Sequence, residues 1–121
     1  MKTILVIEDN KEILENTIEL LELKGYQVLS AINGKAGLEL ALQHKPDLVL
    51  CDIMMPVMNG YEVFAALKAN SGTADIPFIF VTASVERSEV EAGLGMGADG
   101  YIRKPFEAKD LFEAVTGCLK E

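Results

Sequence analysis

The centre of the chain reads Pro46-Asp47-Leu48-Val49-Leu50-Cys51-Asp52, an apolar run with a carboxylate at each end. Its hydrophobic residues follow one another without the alternation of a strand that has one face in water. Such a run is typical of a strand that helices cover on both faces of a parallel sheet. We therefore predict a buried strand over residues 47–51.

Similar segments recur along the chain, and helical patterns separate them. We predict further strands over residues 3–7, 26–30, 77–81 and 100–103, of which 26–30 is more polar and is expected nearer an edge. Apolar residues at helical spacing predict helices over residues 12–24, 35–44, 61–70, 85–96 and 107–119. Strands and helices that alternate in this way predict an α/β fold with one parallel sheet.

Length and composition limit the class of protein. With 121 residues, half of them hydrophobic, the chain is expected to form one domain over residues 1–121. The formal net charge of −8 argues against direct binding to nucleic acid or to an anionic membrane surface. No apolar run reaches the roughly 20 residues of a membrane span, and the first residues do not form a signal peptide. Two cysteines without a CxxC pattern are typical of a reducing compartment, so we expect a soluble cytoplasmic domain.

Polar side chains follow four of the predicted strands. Glu8 and Asp9 follow the first strand, Asp52 the third, Thr82 the fourth and Lys104 the fifth. Because ligands bind where the carboxyl ends of parallel strands meet, we expect these groups to lie together. Three carboxylates against one lysine leave a local charge of about −2, which a divalent cation would balance. Oxygen ligands favour a hard metal, so the sequence predicts a site for Mg²⁺, or for Mn²⁺ in its place.

Each of these residues also has an ordinary structural explanation. Asp9 or Asn10 would serve as a helix cap, and Asp52 as a turn residue after a buried strand. Lys104 would be one more solvated charge, and Thr82 the β-branched end of a strand. The expected meeting of these side chains at one sheet edge is what favours a functional site.

Four stretches of the chain resemble the receiver domains of two-component response regulators. They are Ile4-Leu5-Val6-Ile7-Glu8-Asp9-Asn10, Pro46 to Pro56 with Asn59-Gly60, Val81-Thr82-Ala83, and Gly97 to Phe106. Their order and spacing make the resemblance specific, and it extends over essentially the whole chain. It implies a flavodoxin-like, doubly wound sheet of five parallel strands in the order 2-1-3-4-5, flanked by five helices.

The resemblance implies that Asp52 accepts a phosphoryl group in a magnesium-dependent reaction, which would form an acyl phosphate. Asp9, Asp52 and the backbone carbonyl of Met54 would bind the metal, and Glu8 would act on it through water. Glu8 stands where many members of the family have aspartate. Its extra methylene is therefore expected to alter the contacts around the metal.

A second set of residues resembles those that bind the phosphoryl group and respond to it. Lys104 and the backbone of Ala83 would contact the group, and the hydroxyl of Thr82 would turn toward it. Tyr101 would change between outward and inward rotamers as Thr82 moves, so that this pair switches partner binding. Pro105 would follow a cis peptide bond, a geometry that is otherwise uncommon.

The resemblance also implies that the chain is a signalling domain and not an enzyme that turns over an external substrate. It further implies two kinds of partner. A histidine kinase or a histidine phosphotransfer protein would supply the phosphoryl group. The domain would catalyse only its own phosphorylation and slow autodephosphorylation. As a monomer or weak homodimer, it would bind an unknown downstream protein. The face expected to bind that partner is the one made by the fourth helix, fifth strand and fifth helix. No effector domain is expected within residues 1–121.

Three other functions remain open on sequence alone. A degenerate receiver would act as an interaction module without phosphorylation, although the full set of acids with Thr82 and Lys104 disfavours it. A small magnesium-dependent phosphatase with an aspartyl-phosphate intermediate would carry a D-x-D pattern where this chain has Glu8-Asp9-Asn10-Lys11. A flavodoxin-like binding module would need a Ser/Thr/Gly-rich phosphate loop at the same place.

Overall fold

The structure of the protein, a computed structural model, describes residues 1–83, 95 and 97–119. Five parallel strands form one sheet in the order β2-β1-β3-β4-β5. The strands are β1 (Thr3–Ile7), β2 (Gln27–Ala31), β3 (Leu48–Asp52), β4 (Phe78–Thr82) and β5 (Gly100–Arg103). The expected strand number, direction and order are confirmed, and the more polar β2 lies at an edge.

Four helices lie within the described residues: α1 (Lys11–Leu23), α2 (Gly34–His44), α3 (Gly60–Lys68) and α4 (Ala108–Cys118). They correspond to the first, second, third and fifth helices expected from the sequence, and their ends differ from the expected ones by at most two residues. Apart from residue 95, the expected helix over residues 85–96 falls outside the described residues, so the count within them is four rather than five. Among the described residues, no helix combines the length and apolar character that crossing a bilayer requires.

Asparagine caps fix the start of three helices. Asn10, Asn33 and Asn59 each accept a hydrogen bond from the backbone N–H three residues further on. Asn59 also forms a reciprocal capping box with Glu62, which satisfies two backbone donors at the start of α3. Asn10, and not Asp9, therefore caps α1, so the capping explanation does not account for Asp9.

The sheet carries a hydrophobic core on each face. Alternate residues of the strands point to opposite faces, which is why the central strands are apolar without interruption. One core joins the sheet to α2 and α3, through Leu5, Ile7, Val49, Cys51, Phe78, Phe80, Ala41, Val63, Phe64 and Leu67. The other joins it to α1 and α4, through Ile4, Val6, Leu48, Leu50, Ile79, Val81, Leu14, Leu21, Leu111 and Val115.

The register of the strands brings their carboxyl ends to one level. Three neighbouring pairs set that level: Ile7 beside Cys51, Asp52 beside Val81, and Thr82 beside Arg103. The residues that follow β1 and β5 are Glu8 and Lys104, so both lie at the same edge as Asp52. The fold thus gathers the polar groups that the sequence placed at strand ends.

Candidate functional site

Three acidic side chains lie together at the carboxyl edge of the sheet. Each of Glu8, Asp9 and Asp52 contributes one carboxylate oxygen to a group whose atoms lie within 4.8 Å of one another. Glu8 and Asp52 are buried, with 3% and 5% of their surfaces exposed, whereas Asp9 is exposed. A donor set made only of oxygens fits a hard divalent cation such as Mg²⁺. The predicted juxtaposition of these three acids is present in the structure.

The ammonium group of Lys104 lies between two of these carboxylates. Its Nζ is 2.5 Å from Oε1 of Glu8 and 3.3 Å from Oδ1 of Asp52. The lysine side chain is 12% exposed, so water screens these ion pairs less than it would at the surface. The backbone N–H of Lys104 donates to the carbonyl of Thr82 over 2.7 Å, and the peptide bond between Lys104 and Pro105 is cis.

Both oxygens of the Glu8 carboxylate have partners within the protein. Oε1 pairs with Lys104, and Oε2 accepts a hydrogen bond from the backbone N–H of Asn10 over 3.1 Å. The backbone N–H of Glu8 donates to the carbonyl of Ala31 over 3.0 Å, which continues the pairing of β1 with β2. The turn after β1 therefore fixes Glu8 in place from its backbone and from its side chain.

Burial raises the pKa of the Asp52 carboxyl from 3.8 to about 7. Loss of water around the carboxylate is the larger cause, and the negative charge of Glu8 adds to it, while the Lys104 ammonium lowers the pKa. Burial also raises the pKa of the adjacent Cys51 thiol, which donates to the Asp52 carbonyl over 3.2 Å. A divalent cation beside Asp52 would favour the ionised carboxylate. The electrostatics of the site therefore also fit a metal.

The loop between β3 and α3 folds back over Asp52. The N–H of Gly60 donates to the carbonyl of Ile53 over 2.9 Å. Val57 has a backbone φ of 69° and is fully exposed, and the N–H of Met58 donates to the carbonyl of Pro56 across it. These features form a γ-turn of the rare positive-φ type, which is strained for a β-branched residue.

Two methionines of this loop differ in their burial. Met55 is buried in the core beside α2 and α3, whereas the Met54 side chain is 75% exposed. The resemblance implies a metal contact from the backbone carbonyl of Met54, and the exposure of its side chain leaves that contact a prediction. The sequence did not distinguish the two methionines, because neighbouring residues of one type carry no orientation signal in a loop.

The residues expected to respond to phosphorylation lie on β4 and β5. Thr82 is fully buried at the end of β4, and Ala83 after it is exposed. The Tyr101 ring is partly buried, its centre lies 6.3 Å from that of Phe80, and its hydroxyl oxygen is shielded from solvent. Tyr101 is therefore not extended into water in this structure.

A cleft beside Lys104 is a feature that the sequence did not reveal. It has a volume of about 440 Å³, and its lining is mostly apolar. Residues from α1 and from the turns after β4 and β5 line it: Glu12, Ile13, Asn16, Ala83, Lys104, Pro105 and Phe106. Glu12 and Asn16 lie one helical turn apart on α1, so the sequence indicates that they share a face of the helix. It does not indicate which other residues that face approaches, and the cleft was therefore not predicted.

The chain matches the family model of the response regulator receiver domain over residues 4–116. It therefore belongs to the response regulator receiver family, as its sequence motifs predicted. The fold, the strand order and the acidic cluster at the carboxyl edge of the sheet agree with this membership.

The chain matches one relative of about its own length and others about twice as long. Protein PilH of Pseudomonas aeruginosa is 36% identical over 119 residues, which cover 98% of each chain. The phosphate regulon transcriptional regulatory protein PhoB of the same species is 39% identical over 119 residues, 98% of this chain and 52% of PhoB. The DNA-binding dual master transcriptional regulator RpaA of Synechocystis is 36% identical over 99% of this chain and 50% of RpaA. The chain thus spans about half the length of PhoB and RpaA.

Solved structures match over nearly the whole chain. The chemotaxis response regulator CheY4 of Vibrio cholerae superposes with a TM-score of 0.92 at 28% identity, covering 98% of this chain and 99% of that one. A response regulator receiver domain protein from Clostridium thermocellum gives a TM-score of 0.91 at 30% identity, covering 98% of this chain and 94% of the other.

Proposed function

We propose that this domain accepts a phosphoryl group on Asp52 from a histidine kinase or a histidine phosphotransfer protein. The observation that carries the proposal is the position of Asp52, a buried carboxylate at a strand end with the Lys104 ammonium 3.3 Å away. In the transfer, the P–N bond of the donor breaks and a bond forms between phosphorus and an Asp52 oxygen. Phosphoryl transfer depends mainly on positioning and on neutralising charge, and this site supplies both.

Asp9, Asp52 and the backbone carbonyl of Met54 would hold the metal. Bound Mg²⁺ would neutralise negative charge on the phosphoryl oxygens. Asp9 is exposed and Asp52 is buried, so the donor set lies at the boundary between solvent and the sheet edge. This placement lets a metal enter from solvent and still meet the acceptor carboxylate.

Lys104, Thr82 and Ala83 would bind the transferred group. The Lys104 ammonium would meet a phosphoryl oxygen as a compact charge, and the backbone N–H of Ala83 would donate to another. The Thr82 hydroxyl would turn toward the phosphate. Because Lys104 donates its backbone N–H to the Thr82 carbonyl, the ends of β4 and β5 are tied together at this point.

Movement of Thr82 would be transmitted to Tyr101, whose ring lies on the neighbouring strand. A groove of about 550 Å³ adjoins this tyrosine between β5 and α4, and Arg103, Asp110 and Glu113 are among its lining residues. We assign this groove, on the face expected to bind partners, to a downstream protein. The domain would thus work in the cytoplasm as a phosphorylation switch, a monomer or weak homodimer, without turnover of an external substrate.

Intact mass measured after incubation with Mg²⁺ and acetyl phosphate tests this function. The wild-type mass should rise by one phosphoryl group, and Asp52→Asn should not be labelled. Asp75→Asn is a matched control, because Asp75 is exposed and lies before β4 at the opposite end of the sheet. Equal labelling of wild type and Asp52→Asn would refute the acceptor assignment. An unlabelled wild type would favour a degenerate receiver, and continuous release of phosphate from a phosphomonoester would favour a phosphatase.

A further inference from the structure

Two aspartates hold the starts of neighbouring strands together in the same way. Asp47 donates its backbone N–H to the carbonyl of Thr3 over 2.8 Å and accepts the Thr3 N–H on its carboxylate over 2.7 Å. Asp99 makes the same two hydrogen bonds with Phe78, each over 2.8 Å. Asp47 therefore clamps β3 to β1, and Asp99 clamps β5 to β4, both at the amino edge of the sheet, opposite the candidate site.

The two strand pairs differ in how firmly the core holds them. Every residue of β3 is buried, and so are the four residues of β1 that follow Thr3. All four residues of β5 lie within the described range, and among them only Ile102 is buried, while Arg103 is exposed. Since the side chains that enter the core set the register of a strand, packing fixes β3 firmly and β5 weakly. The clamp at Asp99 is therefore expected to matter more than the one at Asp47.

The first residue of β5 lies close against β4. A Cβ atom on Gly100 would stand 3.2 Å from Cγ1 of Ile79, its partner in the sheet. Gly100 itself has no side chain that could anchor β5 in the core. The two hydrogen bonds of Asp99 supply an anchor at this end of the strand.

The other end of β5 leads to the proposed phosphoryl site. Lys104 follows the last residue of β5, and its Nζ atom lies 3.3 Å from Oδ1 of Asp52. A strand advances about 3.3 Å per residue, so a slip of β5 by one residue would displace Lys104 by about the length of this contact. The placement of the ammonium beside Asp52 therefore depends on the register of β5.

We propose that Asp99 is a positioning residue for Lys104 and acts from the opposite edge of the sheet by holding β5 in register with β4. The proposal rests on the phosphoryl-acceptor function above, in which Lys104 binds the transferred group. The residues proposed to hold the metal, Asp9 and Asp52, belong instead to the ends of β1 and β3. Loss of the clamp at Asp99 should therefore slow phosphoryl transfer and leave Mg²⁺ binding intact.

The test compares Asp99→Ala with Asp47→Ala, which loses the same type of carboxylate acceptor from a strand pair that the core holds firmly. Hydrogen exchange followed by NMR reports the lost bond in each variant. The Phe78 amide should exchange faster in Asp99→Ala, and the Thr3 amide in Asp47→Ala. The backbone amide resonance of Lys104 should shift in Asp99→Ala and keep its wild-type position in Asp47→Ala.

Phosphorylation kinetics give the second readout. With acetyl phosphate at saturating Mg²⁺, Asp99→Ala should be labelled about 5–10-fold more slowly than wild type, because the ammonium no longer has a fixed place beside Asp52. Asp47→Ala should be labelled within about 2-fold of the wild-type rate, and calorimetric titration should give both variants an Mg²⁺ affinity within about 2-fold of wild type. Asp99→Asn keeps an oxygen that can accept the Phe78 N–H, so it should restore the labelling rate to within about 2-fold of wild type.

A second pair of variants keeps the comparison available if Asp99→Ala does not fold. Asp99→Glu keeps the charge and displaces the carboxylate by one methylene, and Asp47→Glu is its match. The same contrast in labelling rate and in the Lys104 resonance is expected from this pair.

Three outcomes would overturn the proposal. They are labelling of Asp99→Ala as fast as that of Asp47→Ala, a loss of Mg²⁺ affinity in Asp99→Ala as large as its loss of labelling rate, and an unchanged Lys104 amide resonance in Asp99→Ala. A wild-type protein that binds Mg²⁺ but is never labelled would contradict the acceptor function. The Lys104 resonance would then still decide whether Asp99 positions this lysine, because that measurement requires no phosphorylation.

Discussion

A Cβ atom placed on Gly60 would stand 2.4 Å from the carbonyl oxygen of Asp52 and 2.9 Å from the Cα of Ile53. Both neighbours are backbone atoms, so no side-chain rotation could relieve the contact. The first residue of α3 thus packs directly against the backbone of Asp52. Glycine at position 60 is what allows the loop after β3 to return to the sheet edge.

We expect Gly60→Ala to destabilise the protein by about 2–4 kcal/mol, because α3 must shift away from the backbone of β3. Urea unfolding followed by circular dichroism measures the change. Gly117→Ala is the matched control, because nothing lies within 4 Å of its added Cβ and the residue is inside α4. The control should be neutral or stabilising by up to about 1 kcal/mol. Equal stability of the two variants would contradict the close approach at Gly60.

The positive-φ turn at Val57 predicts that a substitution there stabilises the protein, in contrast to Gly60→Ala. Val57 is fully exposed, so its side chain gains no burial that would offset the strain of this backbone conformation. Val57→Gly should therefore stabilise the protein by up to about 1 kcal/mol, even though glycine raises the entropy of the unfolded chain. Ala65→Gly, at an exposed position inside α3, should destabilise it by about 1 kcal/mol. A Val57→Gly variant that loses as much stability as Ala65→Gly would show that the turn is not strained.

Much of the fold follows from local signals in the sequence. The uninterrupted apolar runs of β1, β3 and β4 reflect burial on both faces, and the asparagines before α1, α2 and α3 mark where helices start. The strand order came from the family resemblance, because apolar runs do not say which strands are neighbours. The bounds of β2, β3 and β4 each lie one residue later than predicted, at Gln27–Ala31, Leu48–Asp52 and Phe78–Thr82, because an apolar run does not mark the exact residue at which strand pairing starts.

The membership of the candidate site was predictable, but its internal pairing was not. Residues at the ends of parallel strands must share an edge, which brings Glu8 and Asp52 together with Lys104. Whether Lys104 lies closer to Glu8 or to Asp52 depends on side-chain reach and on differences of less than 1 Å, which no sequence spacing encodes. The cleft beside Lys104 was missed for a similar reason, since it joins α1 to a turn some 90 residues away.

The raised pKa of Asp52 predicts how the stability of the metal-free protein depends on pH. The folded-state pKa of about 7 exceeds the ordinary value of 3.8, so the folded protein binds this proton more tightly than the unfolded chain does. The contribution of Asp52 to stability is therefore fully present below about pH 4 and is lost as the pH rises through 7. Asp52→Asn removes this dependence.

Urea unfolding in the presence of a chelator tests whether the stability contribution of Asp52 falls as the pH rises. At pH 8, Asp52→Asn should be more stable than wild type by about 1–3 kcal/mol, and the difference should shrink at pH 5, where wild-type Asp52 is largely protonated. The exposed Asp75→Asn serves as the control and should show no such change between the two pH values. A difference between Asp52→Asn and wild type that is larger at pH 5 than at pH 8 would contradict the raised pKa.

We expect Thr82 to matter less for accepting the phosphoryl group than for responding to it. Thr82 is buried at the end of β4, whereas Asp52, the proposed acceptor, ends β3 and Lys104 follows β5. Thr82→Ala should therefore still be labelled on Asp52 by acetyl phosphate and Mg²⁺, although at a rate lowered by about 10-fold or less because one donor to the phosphate is lost. The response at Tyr101 should disappear, because the hydroxyl that would move toward the phosphate is absent.

NMR measures that response through the ring resonances of Tyr101 before and after labelling. Thr82→Ser keeps the hydroxyl and should restore the response. A Tyr101 shift as large in labelled Thr82→Ala as in labelled wild type would show that phosphorylation reaches β5 by another route.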